Sequence, residues 1–207
     1  MKKIYLLSLL IVASSIIVSC KENVKKEETL EKTAEKNYVV DINTTTINWT
    51  AYKTTSKVPV KGKFSTFTVE NVTKANSAKE ALDNLKFSIP VNSLSTNDTI
   101  RDAKLKKFFF GSMENTAQIT GTLHMENETA GSAEITMNGV SQQLPITYVI
   151  SDQMVSIEAV MDLDNWKTQT AIEALNLVCK DLHKGEDGIS KTWSEVKIEV
   201  VTYLKTE

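Results

Sequence analysis

The sequence predicts a mainly β fold: a single antiparallel barrel of about eight strands with two short helices. Three observations carry that expectation. From Tyr38 onward, apolar residues recur at every second position in one segment after another, the pattern of half-buried strands. Asn138-Gly139 separates two such segments and is the strongest two-residue hairpin signal in the chain. Each segment has one apolar face, and closing the segments into a barrel buries those faces without leaving an exposed edge.

In chain order, residues 38–41 form a short lead-in strand. Ile47, Trp49 and Ala51 then alternate with Asn48, Thr50 and Tyr52. Val58, Val60, Gly62 and Phe64 continue the pattern, but its phase shifts at Phe67 and Val69, which places a bulge near Ser65 and Thr66. Residues 76–84 read as a loop or a single helical turn. Leu85, Phe87, Ile89 and Val91 alternate again. Pro90 lacks a ladder donor, so it lies at an edge or turns its missing N–H away from a partner.

Residues 93–111 interrupt the strands and carry the chain's only arginine. Asn97 or Asp98 can cap a helix here and Gly111 can take the left-handed position at its end, while Arg101, Leu105 and Phe108 share a face at i, i+4 and i+7. This segment reads as the plug or rim of the barrel. Strands resume at Ala117 to Met125 and Ala133 to Met137, followed by Leu144, Ile146, Tyr148 and Ile150, and then Val155 to Leu163. Residues 168–184 switch to helical spacing, with Ile172, Leu175, Cys179 and Leu182 on one face and Gly185 as a cap. Val196, Ile198 and Val200 form the last strand.

The chain of 207 residues carries a formal charge of −2 and has no basic cluster beyond short lysine pairs, which argues against nucleic-acid binding. Lys2 and Lys3, the apolar run from Ile4 to Val18, and then Ser19 and Cys20 read as an export signal over residues 1–19. Ile17-Val18-Ser19-Cys20 resembles the bacterial lipobox, in which the cysteine is acylated. Cys20 is then the lipid anchor, and the mature chain has no transmembrane helix. Removing the signal leaves 22 basic against 26 acidic residues. Residues 20–37 form a lipid-anchored charged linker with five lysines and five glutamates, too poor in apolar residues to bury a core. Residues 38–207 make the barrel domain. With Cys20 acylated, Cys179 is the sole thiol, either buried or able to pair between chains in a homodimer.

Several runs together resemble the YceI-like family. They are Tyr38-x-x-Asp41, the strand at Trp49, Val60-x-Gly62-x-Phe64, Ser93-Leu94-x-Thr96, Arg101-Asp102-x-x-Leu105-x-x-Phe108-Phe109, Met137-Asn138-Gly139-Val140 and Leu144-Pro145-Ile146. The resemblance implies an exported bacterial protein with an elongated lipocalin-like barrel whose apolar interior binds isoprenoid chains or similar amphiphiles. The segment from Asn176 to Trp193 is similar to lipoprotein members from Bacteroidetes. Phe110-Gly111-Ser112 departs from the acidic residue that often follows the paired phenylalanines of the family.

For such a barrel, the expected ligand-binding side chains are Trp49, Phe64, Phe87, Ile89, Ile119, Leu123, Ile146, Tyr148, Ile157 and Met161, with Leu105 and Phe108 from the inserted helix. Alternation shows only that a face is buried, so each of these side chains either fills a core or lines a cavity. Arg101 either meets an anionic headgroup or pairs with Asp98 or Asp102. Cys179 and His183 stand at i, i+4 in a spacing that could hold a metal, although two ligands fall short of a zinc site. The chain has no nucleophile elbow, phosphate-cradling loop or zinc-protease motif. The expectation is therefore a non-enzymatic, membrane-anchored envelope protein that sequesters or carries an isoprenoid-like lipid and needs no other cofactor. The rivals are a metal-handling protein and a stress-related interaction module with a filled barrel.

Overall fold

Eleven strands make up just under half of residues 37–206, the part of the chain that this computed structural model describes. The signal, Cys20 and the linker as far as Lys36 lie outside the described residues. The strands are β1 (Tyr38–Val40), β2 (Thr46–Lys53), β3 (Val58–Phe64), β4 (Thr68–Glu70), β5 (Lys86–Pro90), β6 (Leu94–Ser95), β7 (Gln118–Met125), β8 (Ala130–Met137), β9 (Val140–Ser151), β10 (Met154–Asp162) and β11 (Thr192–Thr206). They pair antiparallel in the order β4, β5, β7, β8, β9, β10, β11, β2, β3, β6, with β1 alongside β11.

The two ends of this order are joined by the chain itself, since β4 follows β3 after a bend at residues 65–67 and β6 follows β5 after a bend at residues 91–93. At the seam, the Ser65 N–H donates to the Ser93 carbonyl at 2.9 Å and the Ser93 hydroxyl donates to the Thr66 carbonyl at 3.0 Å. The sheet thus curls until its ends meet. The strand count differs from the expected eight because two long strands are each broken in two at these bends, and β1 is added outside the main path. The bulge expected at Ser65 and Thr66 is one of the breaks. Pro90 closes β5 opposite Gln118, while β4 stops at Thr68 opposite Ser88, so the missing N–H leaves no β4 partner unpaired.

Asn138-Gly139 turns β8 into β9 with φ of 53° and 66°, the doubly positive pair that matches strand twist in a tight hairpin. Among the described residues there are three helices rather than two: α1 (Ala78–Leu82), α2 (Thr99–Lys104) and α3 (Gln169–Val178). Helix α1 spans five residues, too few to show a helical period, yet the Ser77 hydroxyl accepts from the Glu80 N–H at 3.2 Å and Ala78, Ala81 and Leu82 are buried. Helix α3 ends at Val178, well before the expected Lys184, and Gly185 lies in the turn beyond it. Gly111 does not adopt the left-handed conformation, which among the glycines is found at Gly139 and Gly188.

Helix α2 instead runs on, from its Asp98 cap, into a wide π turn at Leu105–Phe109 and a tight 3-10 turn at Phe110–Ser112. That change of winding buries two successive phenylalanines, Phe109 and Phe110, whose rings meet edge to face at 4.9 Å. Among the described residues no helix is long and apolar enough to cross a membrane.

Candidate functional site

Three cavities follow one another through the interior. The first, about 160 Å³, is lined almost wholly by apolar side chains from the middle of the strands, including Ile47, Phe87, Ile89, Leu123, Ile146 and Ile157. Its few polar lining groups include Thr45 and Thr202, whose hydroxyls lie 2.7 Å apart and satisfy each other. The second, about 110 Å³, shares Phe64, Ile119, Met137, Met161 and Ile198 with the first and is roofed by Leu105, Phe109 and Phe110 below α2 and by Leu175 of α3. The third, about 220 Å³, shares Trp49, Ala51, Leu105, Leu175 and Thr192 with the second and holds the polar groups Lys53, Asp98, Arg101, Lys104, Cys179 and His183.

The succession can be followed along single strands. On β2, Ile47 lines the first cavity, Trp49 and Ala51 the second and third, and Lys53 the third alone. A cavity chain that starts apolar and ends polar suits a molecule with a long hydrocarbon body and one polar end.

The polar mouth has a defined hydrogen-bond order. Lys53 Nζ donates to the Leu182 carbonyl at 3.0 Å, which ties the end of β2 to the segment after α3. Arg101 pairs with Asp98 at 3.4 Å on the surface, and Asp98 also caps α2 by accepting from the N–H groups of Ile100 and Arg101. Those hydrogen bonds and the nearby cations hold its carboxyl below the ordinary range. The Thr192 hydroxyl donates to Asn176 Oδ1 at 3.0 Å, so His183 Nδ1, 2.7 Å from the Thr192 hydroxyl oxygen, donates to that oxygen. Burial first, then Lys53 and Lys104, push the His183 pKa down to about 4, and the imidazole is neutral. Burial also raises the Cys179 thiol, against the pull of Lys104, Lys53 and Arg101. Cys179 is buried and is not a surface thiol.

Of the expected ligand-binding side chains, Trp49, Phe64, Phe87, Ile89, Ile119, Leu123, Ile146, Ile157 and Met161 line the first two cavities, Leu105 lines the second and third, and Arg101 the third. Two lie elsewhere. Tyr148 lines none of the three, and its hydroxyl donates to the Asn127 carbonyl as a buried structural tie. Phe108 is half-buried with Lys107 over its ring and also lines none of them. Cys179 and His183 do meet at the mouth, but among the described residues no group of three or more His, Cys, Asp or Glu side chains is arranged to hold a metal.

Sequence reasoning missed Lys104 and Lys53. Lys104 was legible, one turn beyond Arg101 on the same helix. Lys53 was not, because only the pairing of Lys53 with Thr192 across β2 and β11 brings it to the mouth.

The YceI-like domain model matches residues 38–202. The chain belongs to the YceI-like family. Two solved structures share the YceI-like fold seen here. A polyisoprenoid binding domain from Saccharophagus degradans, implicated in plant cell wall breakdown, superposes with a TM-score of 0.59 at 14% identity, covering 82% of this chain and 98% of its own. Burkholderia cenocepacia BcnA superposes with a TM-score of 0.52 at 15% identity, covering 80% of this chain and 99% of its own. No curated protein matches this YceI-like chain.

Proposed function

We propose that the protein binds an isoprenoid-like or other amphiphilic lipid and sequesters or carries it in the bacterial cell envelope, without chemistry of its own. The observation that carries this reading is the unbroken run of shared lining residues from an apolar interior to a cationic mouth. The polyisoprenoid binding of the Saccharophagus domain supports the same ligand class. Each buried ligand CH₂ contributes about 0.8 kcal/mol, so a long chain binds tightly without specific polar contacts. The headgroup then sits among Arg101, Lys104 and Lys53. Anchoring through acylated Cys20 keeps the carrier at a membrane, from which its ligand is drawn.

The test is to extract small molecules from the natively purified protein and weigh them. A stoichiometric lipid with a polyprenyl or long acyl mass is the expected result, and a lipid-free extract that stays empty after incubation with polyprenol overturns the reading.

A further inference from the structure

The mouth of the third cavity is flanked by apolar side chains that stand in water. Ile100, on the first turn of α2, is 72% exposed, and Leu182, in the segment after α3, is 60% exposed, yet both line the opening. Leu177, on the last turn of α3, is 73% exposed. These aliphatic side chains come from separate elements, and holding them in solvent forgoes the stabilisation that burial of each would bring.

Charge accompanies them. Lys53, Arg101 and Lys104 face the opening against one carboxylate, Asp98, in a chain whose overall charge is negative. Of the other acids on the surrounding segments, Asp181 pairs with Lys184, Asp102 accepts from the Thr96 hydroxyl and N–H, and Asp187 accepts from the Thr55 hydroxyl, while Glu173 and Glu186 do not line the opening. Exposed aliphatic side chains interspersed with cations, on short helices, form a surface that lies in a lipid interface.

We infer that the α2–α3 rim is a docking surface for a bilayer carrying anionic headgroups, with Ile100, Leu177 and Leu182 inserted among the acyl chains. The inference rests on the lipid-binding reading and adds where the ligand crosses: through the docked mouth, so that its chain passes from bilayer to tunnel without entering water. The chain enters the domain far from this rim. Tyr38 pairs with Thr206 at one end of β11, whereas Thr192 at its other end lines the mouth, about 46 Å along the strand at about 3.3 Å per residue. The rim is therefore left clear of the point where the linker joins.

Amide hydrogen exchange of the full chain, on vesicles of phosphatidylcholine alone and on vesicles containing phosphatidylglycerol, tests this. Residues 99–104 and 177–184 gain protection on the anionic vesicles, and the Ile100→Asp, Leu182→Asp double variant loses that gain. Equal exchange of these segments on both vesicles, or a gain that survives in the double variant, overturns the docking surface. Lipid retained by the wild type without vesicle-dependent protection overturns the docking alone, and protection with a lipid-free protein overturns the carrier reading alone.

Discussion

Trp49 lies across Gly62, its direct cross-strand partner on β3, and a Cβ at position 62 would stand 2.1 Å from the indole ring. The glycine is there because a flat ring occupies the space above it. Trp49 is buried and lines both the second and third cavities, so the pair forms part of the wall where the apolar second cavity meets the polar third one. Gly62→Ala forces the ring off its site and should destabilise the domain by about 1–3 kcal/mol, as overpacking does. Urea unfolding checks it, and an unchanged midpoint would show that the ring has room to move.

The same ring carries an unmet donor, since Trp49 Nε1–H is buried without an acceptor among the described residues. Trp49→Phe keeps most of the apolar burial and removes the orphaned N–H, whose desolvation costs about 1–3 kcal/mol. Its thermal midpoint should match or exceed the wild type, whereas Trp49→Ala should lose about 3–5 kcal/mol.

Arg101 separates binding from stability. Its partner Asp98 is as exposed as it is, and exposed pairs contribute roughly 0–1 kcal/mol. Arg101→Ala combined with Lys104→Gln should therefore leave the urea midpoint nearly unchanged while lowering the amount of anionic lipid retained after purification. A large loss of stability would make the arginine structural.

His183 gives the mouth a pH signature. Its folded pKa of about 4 lies below the ordinary histidine value of 6.5, so in acid the unfolded chain takes up a proton that the native imidazole refuses. The stability it supports is fully present above pH 6.5 and is lost as pH falls from 6.5 towards 4. His183→Asn, which cannot titrate, should flatten the decline of the urea midpoint across that window, and an identical decline in both proteins would refute this assignment.

Much of the fold was legible because alternation and turn chemistry are local. Asn138-Gly139 and the phase shift at Ser65 each report a backbone event within a few residues of themselves. The bend at Val91 was hidden, because the alternation of Phe87, Ile89 and Val91 runs straight into it. The site was half legible for a related reason. Inward alternation selects Ile119 and Ile157, which line the first cavity, with the same signal that selects Tyr148, which does not, since both kinds of side chain face inward. Only three-dimensional spacing separates a packed end from a hollow middle. Trp49 and Gly62 appear in the sequence as residues of two separate alternating strands, and their contact depends on a register the sequence does not display.

Met161 and Ile119 decide between a filled core and a tunnel, because each lines both the first and second cavities at their junction. In a packed core, enlarging either side chain costs about 1–3 kcal/mol, since there is nowhere for the added atoms to go. In a tunnel, Met161→Phe fills existing space, adds apolar contact and leaves the unfolding midpoint unchanged or raised. It also divides the passage, so a lipid entering from the mouth can reach only the second cavity. Mass spectrometry of the retained lipid should then show a shorter chain or none, with Ile119→Phe giving a weaker version of the same shift. Retention of the wild-type lipid at full stoichiometry by Met161→Phe would mean that the chain takes another route through the barrel.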